Sequence, residues 1–164
     1  MWNPEFEYTE RQPATLKNYS RALCIYSWVH RGTRETPGLV FGLDTGGQCD
    51  GFAFNIPKHA REATVAMLRA RELVTDVYQE TIEPLKLTGD KPRTVRALFY
   101  RAVQDHEQYA GKLDLDEQVR LIKQGAGKSG INSDYILNTQ SHLVAEGIVD
   151  DKLGLLCDQI NEAD

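Results

Sequence analysis

Two hydrophobic rhythms divide this chain, and they set what it can fold into. Over residues 39–56 the apolar positions recur every second residue, as Leu39, Phe41 and Leu43 and then Phe52, Phe54 and Ile56, the period of a half-buried strand. From residue 115 they recur every third or fourth, with Leu115, Val119, Ile122 and Ala126 on one stripe of an amphipathic helix. A strand-rich first half followed by a helical last third predicts an α+β fold, with helices packed around an antiparallel sheet.

Between the two alternating runs, Asp44-Thr45-Gly46-Gly47-Gln48 carries the adjacent glycines that a hairpin loop uses for positive φ. Strands at 39–43 and 52–56 are therefore expected to pair through a turn at 44–48, with an earlier strand at 21–29, which is rich in aromatic and β-branched residues. Pro57 closes the run. Residues 60–74 contain Ala, Leu, Met, Arg and Glu but no Gly or Pro and predict a helix. Residues 78–87 and 93–103 alternate in part and read as further strands, although 96–103 also fits a helix. Asp114 is placed to cap the helix that starts at Leu115, with Glu117 to complete a capping box, and Gly125, Gly127 and Gly130 end it. Asn132 is placed to cap a helix over 133–146 that Gly147 stops, and Leu153, Leu156 and Ile160 mark a last short helix after Asp150. With no internal repeat, the 164 residues fit one domain, 1–164.

Several function classes are excluded at this level. No apolar run approaches the roughly 20 residues of a bilayer-spanning helix, so no membrane partner is expected. The formal net charge is −5 and the basic residues are dispersed, which argues against a nucleic-acid partner. Cys24, Cys49 and Cys157 form no Cys-x-x-Cys and suit neither a disulfide scaffold nor a zinc module; a reducing cytoplasm fits them best. His30, His59, His106 and His142 show no metal-ligand spacing, so no metal is expected. Residues 1–8 lack the basic-then-apolar pattern of a secretory signal.

Three candidate sites remain. Gly-Ala-Gly-Lys-Ser-Gly at 125–130 resembles a phosphate loop, but Ile122 stands where that pattern needs glycine and a helix rather than a strand precedes it, so a helix–helix connection is expected. Glu72 projects about 20° from Val65 and 40° from Leu68 around its predicted helix, among apolar side chains. Desolvation there would raise its pKa and leave a carboxylate able to take and return a proton near neutral pH; the alternative is an ion pair with Arg69, Arg71 or Arg34. In Ser27-Trp28-Val29-His30-Arg31-Gly32-Thr33, a strand ends in a cation, backbone N–H groups and a hydroxyl that suit a carboxylate ligand, or else form a polar turn. Tyr109, Gly111 and Lys112 before the capped helix are similar in kind. Cys24 reads as a small core residue rather than a nucleophile.

Taken in order, these segments resemble the ChaC-like gamma-glutamylcyclotransferase family. The resemblance rests on His30-Arg31-Gly32-Thr33 with Pro37-Gly38-Leu39-Val40, on Cys49-Asp50-Gly51-Phe52-Ala53-Phe54, and on Leu68-Arg69-Ala70-Arg71-Glu72 with Tyr78. It continues through Tyr109-Ala110-Gly111, through Gly127-Lys128-Ser129-Gly130-Ile131-Asn132 with Tyr135, and through Gly147-Ile148-Val149-Asp150.

The resemblance implies a mixed, mainly antiparallel, barrel-like sheet with surrounding helices. It also implies an enzyme, needing no cofactor or metal, that splits glutathione or another γ-glutamyl peptide into 5-oxoproline and, from glutathione, cysteinylglycine. The α-amine attacks its own γ-carbonyl, and Glu72 falls on the family's catalytic glutamate. The family's Tyr-Gly-Ser-Leu loop at the end of the first strand has no counterpart, since Met1 and Trp2 match the last two positions of that block. The implied sheet lacks its first strand, and the implied substrate contacts are Met1, Trp2, Arg31, Gly32, Thr33 and Tyr109. Two alternatives stand beside this reading: an inactive, truncated family member, and a non-enzymatic regulatory or binding protein, since the family's historical name ties it to cation transport.

Overall fold

In the computed structural model, which describes residues 4–162, four strands form one sheet in the order β2-β1-β3-β4. They are β1 (Glu10–Ser27), β2 (Gly38–Asn55), β3 (Tyr78–Leu87) and β4 (Arg93–Ala102). Helix α1 (Arg61–Glu72) follows β2 after a 3-10 turn at Lys58–Ala60. The chain then continues through α2 (Leu115–Gln124), a two-stranded hairpin of β5 (Ala126–Gly127) and β6 (Gly130–Ile131), α3 (Asn132–Ala145) and α4 (Asp151–Glu162). The α+β class is the expected one. Among the described residues the sheet has two edges, β2 and β4, so it is open rather than a closed barrel.

The described residues fall into two compact units, one made of residues 4–22 and 42–106, the other of residues 23–41 and 107–162. In the first unit β3 and β4 pair antiparallel along their full lengths, from Tyr78 opposite Ala102 to Leu87 opposite Arg93, while β1 meets β3 at Ala14 opposite Leu87. Ala14, Leu16, Tyr19, Leu85 and Leu87 are buried there against Leu43, Ala53, Val95, Ala97 and Phe99. The buried positions of β1 change parity between Leu16 and Tyr19 because Asn18 sits at φ +66°, a bulge that inserts one residue and turns the strand's faces over. The Tyr19 ring then packs edge-on to Phe99 at 5.1 Å.

The expected turn at 44–48 is not present. β2 runs through it, and the chain reverses at 28–37 instead. Gly46 and Gly47 have φ of +94° and +75°, and a side chain on Gly47 would lie 3.5 Å from the Ser20 Cβ, so the glycine pair serves a kink within the strand. Turns and bulges draw on the same left-handed backbone, which is why the sequence pattern pointed to the wrong one. β1 also begins well before residue 21, because its polar stretch directs only Ala14, Leu16 and Tyr19 inward.

The second unit is organised by the helix stripes. Leu121, Ile122, Ile136, Leu143, Leu153, Leu156, Cys157 and Ile160 pack with Leu23 and Leu39. Burying each large aliphatic side chain contributes about 1.5–3 kcal/mol. The Asp114 carboxylate accepts from Glu117 N–H at 2.9 Å, as expected of an N-cap. The capping box stops at that bond, since the Glu117 carboxylate is taken by Arg120. Asp150 caps α4 by accepting from Leu153 N–H at 3.1 Å. Gly147, at φ +71°, ends α3, with Ile148 N–H returning to the Leu143 carbonyl. Asn132 does not cap α3. It is the helix's first residue, and its side chain is bonded to Leu39 instead.

Candidate functional site

Glu72 is the last residue of α1, in the first unit. Val65 and Leu68, its expected apolar neighbours on the helix, are only half-buried, and the Glu72 side chain keeps 25% exposure. Its Oε1 accepts from Arg71 Nε at 2.9 Å, and Arg71 Nη1 stands 3.9 Å from Glu5. The ion pair with Arg71 is thus formed, and it fixes one oxygen of the carboxylate. Arg69, also a candidate partner for Glu72, points its fork elsewhere: Nε and Nη2 each donate to Glu80 at 2.7 Å. Glu80 stands opposite Tyr100 in the β3–β4 register and accepts from its hydroxyl at 3.2 Å.

Charge and burial shape this cluster together. The Arg69 fork, aided by the Tyr100 hydroxyl, holds the Glu80 carboxyl below the ordinary glutamate range, outweighing desolvation. Desolvation first, and then the negative charge of Glu80 with a smaller share from Glu72, pushes the Tyr100 phenol up to about 12. Tyr100 is therefore a neutral hydrogen-bond donor across the physiological range. Nothing in the sequence marked Glu80 or Tyr100, because a glutamate in an alternating strand reads as solvent-facing and only the strand register brings the pair together.

Arg31, Gly32, Thr33 and Tyr109 belong to the second unit. Arg31 N–H donates to Ser27 Oγ at 2.9 Å, its Nη1 donates to the Ile131 carbonyl at 3.2 Å, and its guanidinium carbon lies 5.2 Å from the Tyr135 ring centre. Thr33 Oγ1 accepts from Thr36 N–H, and Thr33 N–H donates to the Thr36 carbonyl, both at 3.1 Å. These contacts describe a polar turn. Gly32 fits because a Cβ there would stand 2.6 Å from the Ser27 carbonyl oxygen and 2.7 Å from that of Thr36. Tyr109 is half-buried and forms an antiparallel bridge with Ile25. Met1 and Trp2 lie outside the described residues.

The Gly-Lys-Ser segment is a connection, as expected. Lys128 and Ser129 donate their N–H groups to the carbonyls of Val29 and His30 at 2.8 and 2.9 Å, so these donors brace the 28–37 loop. Among the described residues no group of three or more His, Cys, Asp or Glu side chains could hold a metal ion, and no helix is long and apolar enough to cross a membrane.

The fold and the carboxylate cluster define an α+β protein with an open antiparallel sheet and one glutamate fixed at a helix end by an adjacent arginine. The chain belongs to the ChaC-like protein family, whose model matches residues 1–163. It is 33% identical over 153 residues to the glutathione-specific gamma-glutamylcyclotransferase of Escherichia coli K12, covering 93% of this chain and 65% of that protein. It is 26% identical over 166 residues to gamma-glutamylcyclotransferase 2-3 of Arabidopsis thaliana, covering 98% and 83%. Among solved structures, a crystal structure of the yeast gamma-glutamylcyclotransferase specific to glutathione superposes with a TM-score of 0.84 at 20% identity, over 97% of this chain and 90% of that one. The chain thus spans just under two thirds of the Escherichia coli relative's length, and the yeast likeness is one of fold.

Proposed function

We propose that this protein is a gamma-glutamylcyclotransferase that degrades glutathione, or another γ-glutamyl peptide, by intramolecular cyclisation. The α-amine nitrogen of the γ-glutamyl group bonds to its own γ-carbonyl carbon, and the amide C–N bond to the rest of the peptide breaks. The products from glutathione are 5-oxoproline and cysteinylglycine, and no water is consumed. Glu72 takes a proton from the attacking ammonium and returns one to the leaving amine, so the net proton balance is zero. Both reacting atoms belong to one molecule, so the protein's task is to fold the flexible chain into a ring-closing geometry and to manage that proton.

The observation that carries this reading is the Glu72 carboxylate, held through Oε1 by Arg71 at a helix end in a chain of the ChaC-like family. Family relatives named for glutathione-specific activity support the choice of substrate. The same proposal gives Arg31, Gly32, Thr33 and Tyr109, with Met1 and Trp2, the substrate contacts, and places the protein in the cytoplasm. The lactam closure itself calls for no cofactor.

The test is to incubate the protein with glutathione and follow 5-oxoproline and cysteinylglycine by chromatography. Equal release of the two products is expected, and Glu72→Gln should lower kcat by about a hundredfold or more, the share of a positioned acid–base group. No 5-oxoproline from the parent chain with glutathione or with a panel of other γ-glutamyl peptides, or equal turnover by Glu72→Gln, would overturn the reading.

A further inference from the structure

Arg69 precedes Glu72 by three residues on α1, and side chains at that spacing face each other with Cβ atoms about 5–6 Å apart. A guanidinium there is well placed to fork onto the Glu72 carboxylate. It does not do so because Glu80, on β3, takes two of its nitrogens at 2.7 Å each. Tyr100, on β4, donates to the same Glu80 carboxylate and holds it from the other side. Arg71 meanwhile engages only Oε1 of Glu72, and among the described residues no protein group donates to Oε2.

We propose that Glu80 is a positioning residue for Glu72: by sequestering Arg69, it keeps the second carboxylate oxygen of Glu72 open for the proton the reaction moves. This rests on the reading of Glu72 as the proton shuttle. The charged and titratable groups around Glu72 give Arg69 a specific weight. Arg71 is its fixed partner and is shared with Glu5, Tyr100 stays neutral, and Glu80 is already neutralised by Arg69. Freeing Arg69 would place a second cation on a carboxylate that already has one. Both oxygens would then be engaged by guanidinium groups, leaving none to accept from an ammonium.

A bridge that only braced the end of α1 against the sheet would suffer equally from loss of either partner. Sequestration predicts an asymmetry, because removing Glu80 releases the competing cation whereas removing Arg69 abolishes it. The experiment measures kcat and KM for glutathione in the full chain and in five variants: Glu80→Gln, Arg69→Gln, the double variant of these two, Glu80→Asp, which keeps the charge but draws the carboxylate back by one methylene, and Glu80→Asp combined with Arg69→Gln. Glu80→Gln should lose about tenfold in kcat with KM within about twofold of the parent, and Arg69→Gln should stay within about twofold in both constants. The double variant should regain most of the parent kcat. Glu80→Asp should show a smaller loss that Arg69→Gln again reverses, so the inference stays testable if Glu80→Gln does not fold. An equal loss in Arg69→Gln and Glu80→Gln, or a double variant no faster than Glu80→Gln, would overturn it. A parent chain that releases no 5-oxoproline would instead sink the reading of Glu72 on which it rests, so the two failures are told apart.

Discussion

Asn132 holds both main-chain polar groups of Leu39, 93 residues away in the chain: its Oδ1 accepts from Leu39 N–H at 2.6 Å and its Nδ2 donates to the Leu39 carbonyl at 2.8 Å. Both residues are fully buried. The side chain thus acts as a short length of strand beside β2, which is an edge strand of the sheet. Asn132→Ala would strand one buried donor and one buried acceptor, at about 1–3 kcal/mol each. Asn132→Asp keeps the acceptor but sets a carboxylate oxygen against the Leu39 carbonyl. Both variants are expected to be less stable in urea unfolding, by about 2–6 kcal/mol for the alanine. A loss within about 0.5 kcal/mol, the range of an ordinary surface change, would show that the pair contributes little.

The glycines of the same unit are constrained by close backbone approach. A Cβ on Gly125 would lie 2.6 Å from the Arg31 carbonyl oxygen and 2.8 Å from the Gly38 Cα, and one on Gly127 would lie 2.5 Å from the Val29 carbonyl oxygen. Backbone cannot rotate away as a side chain can, so Gly125→Ala and Gly127→Ala should each cost about 1–3 kcal/mol or more. Gly51→Ala is the control. Nothing lies within 4 Å of its added methyl, so it should be neutral or slightly stabilising. Thermal melts of the three variants check the order, and equal melting temperatures would contradict it.

The contrast between Asp114 and Asn132 shows how much of the molecule was legible in advance. Asp114 and Asp150 cap helices whose first turns follow them directly, so the partner lies three residues on and the local pattern suffices. Asn132 stands at an equally suitable cap position, yet its partner is across the fold, and no local rule reports that. Gly46 and Gly47 announced positive φ correctly, but whether it served a turn or a bulge depended on pairing with β1. Glu72 was singled out by its helix face and by the resemblance that the ordered motifs carry. Arg69, Glu80 and Tyr100 around it become a cluster only through the β3–β4 register. The helical stripes and the caps were readable from sequence because their interactions are local; the cluster around Glu72 was not, because its interactions are between elements.

The Arg69–Glu80 pair also makes a prediction about acid. The Glu80 carboxyl is more acidic in the folded protein than the usual 4.5, chiefly because the Arg69 fork favours its ionised form. A carboxylate so depressed stabilises the fold while it is ionised, so its contribution is complete above 4.5 and is lost as pH falls from there through the folded value. Removing both partners should therefore lower the melting temperature near neutral pH and make progressively less difference on acidification. Arg69 is 56% exposed, so added salt should shrink the neutral-pH difference as well. Melting curves of the parent and the Arg69→Gln, Glu80→Gln double variant across that range decide it. A gap that widens toward acid would show the sign to be wrong.

Tyr100 gives the opposite dependence at the alkaline end. Its phenol is raised from 10.0 to about 12 because burial and the Glu80 carboxylate both disfavour a phenolate, with Arg69 opposing them. A group whose folded pKa is raised stabilises the fold fully below its unfolded value and loses that contribution as pH rises through the folded one, here between 10.0 and about 12. Ultraviolet titration of tyrosinate should therefore show a late step that Tyr100→Phe removes. Tyr19 is also raised, chiefly through its hydrogen bond to Glu83, so Tyr19→Phe serves as the comparison and should leave the step near 12 in place. Glu80→Gln removes the carboxylate charge beside the phenol while burial remains, so the Tyr100 step should move partway back toward 10. If the late step survives in Tyr100→Phe, another residue carries it; if it does not move in Glu80→Gln, burial alone sets it and the hydrogen bond between the two strands contributes nothing measurable.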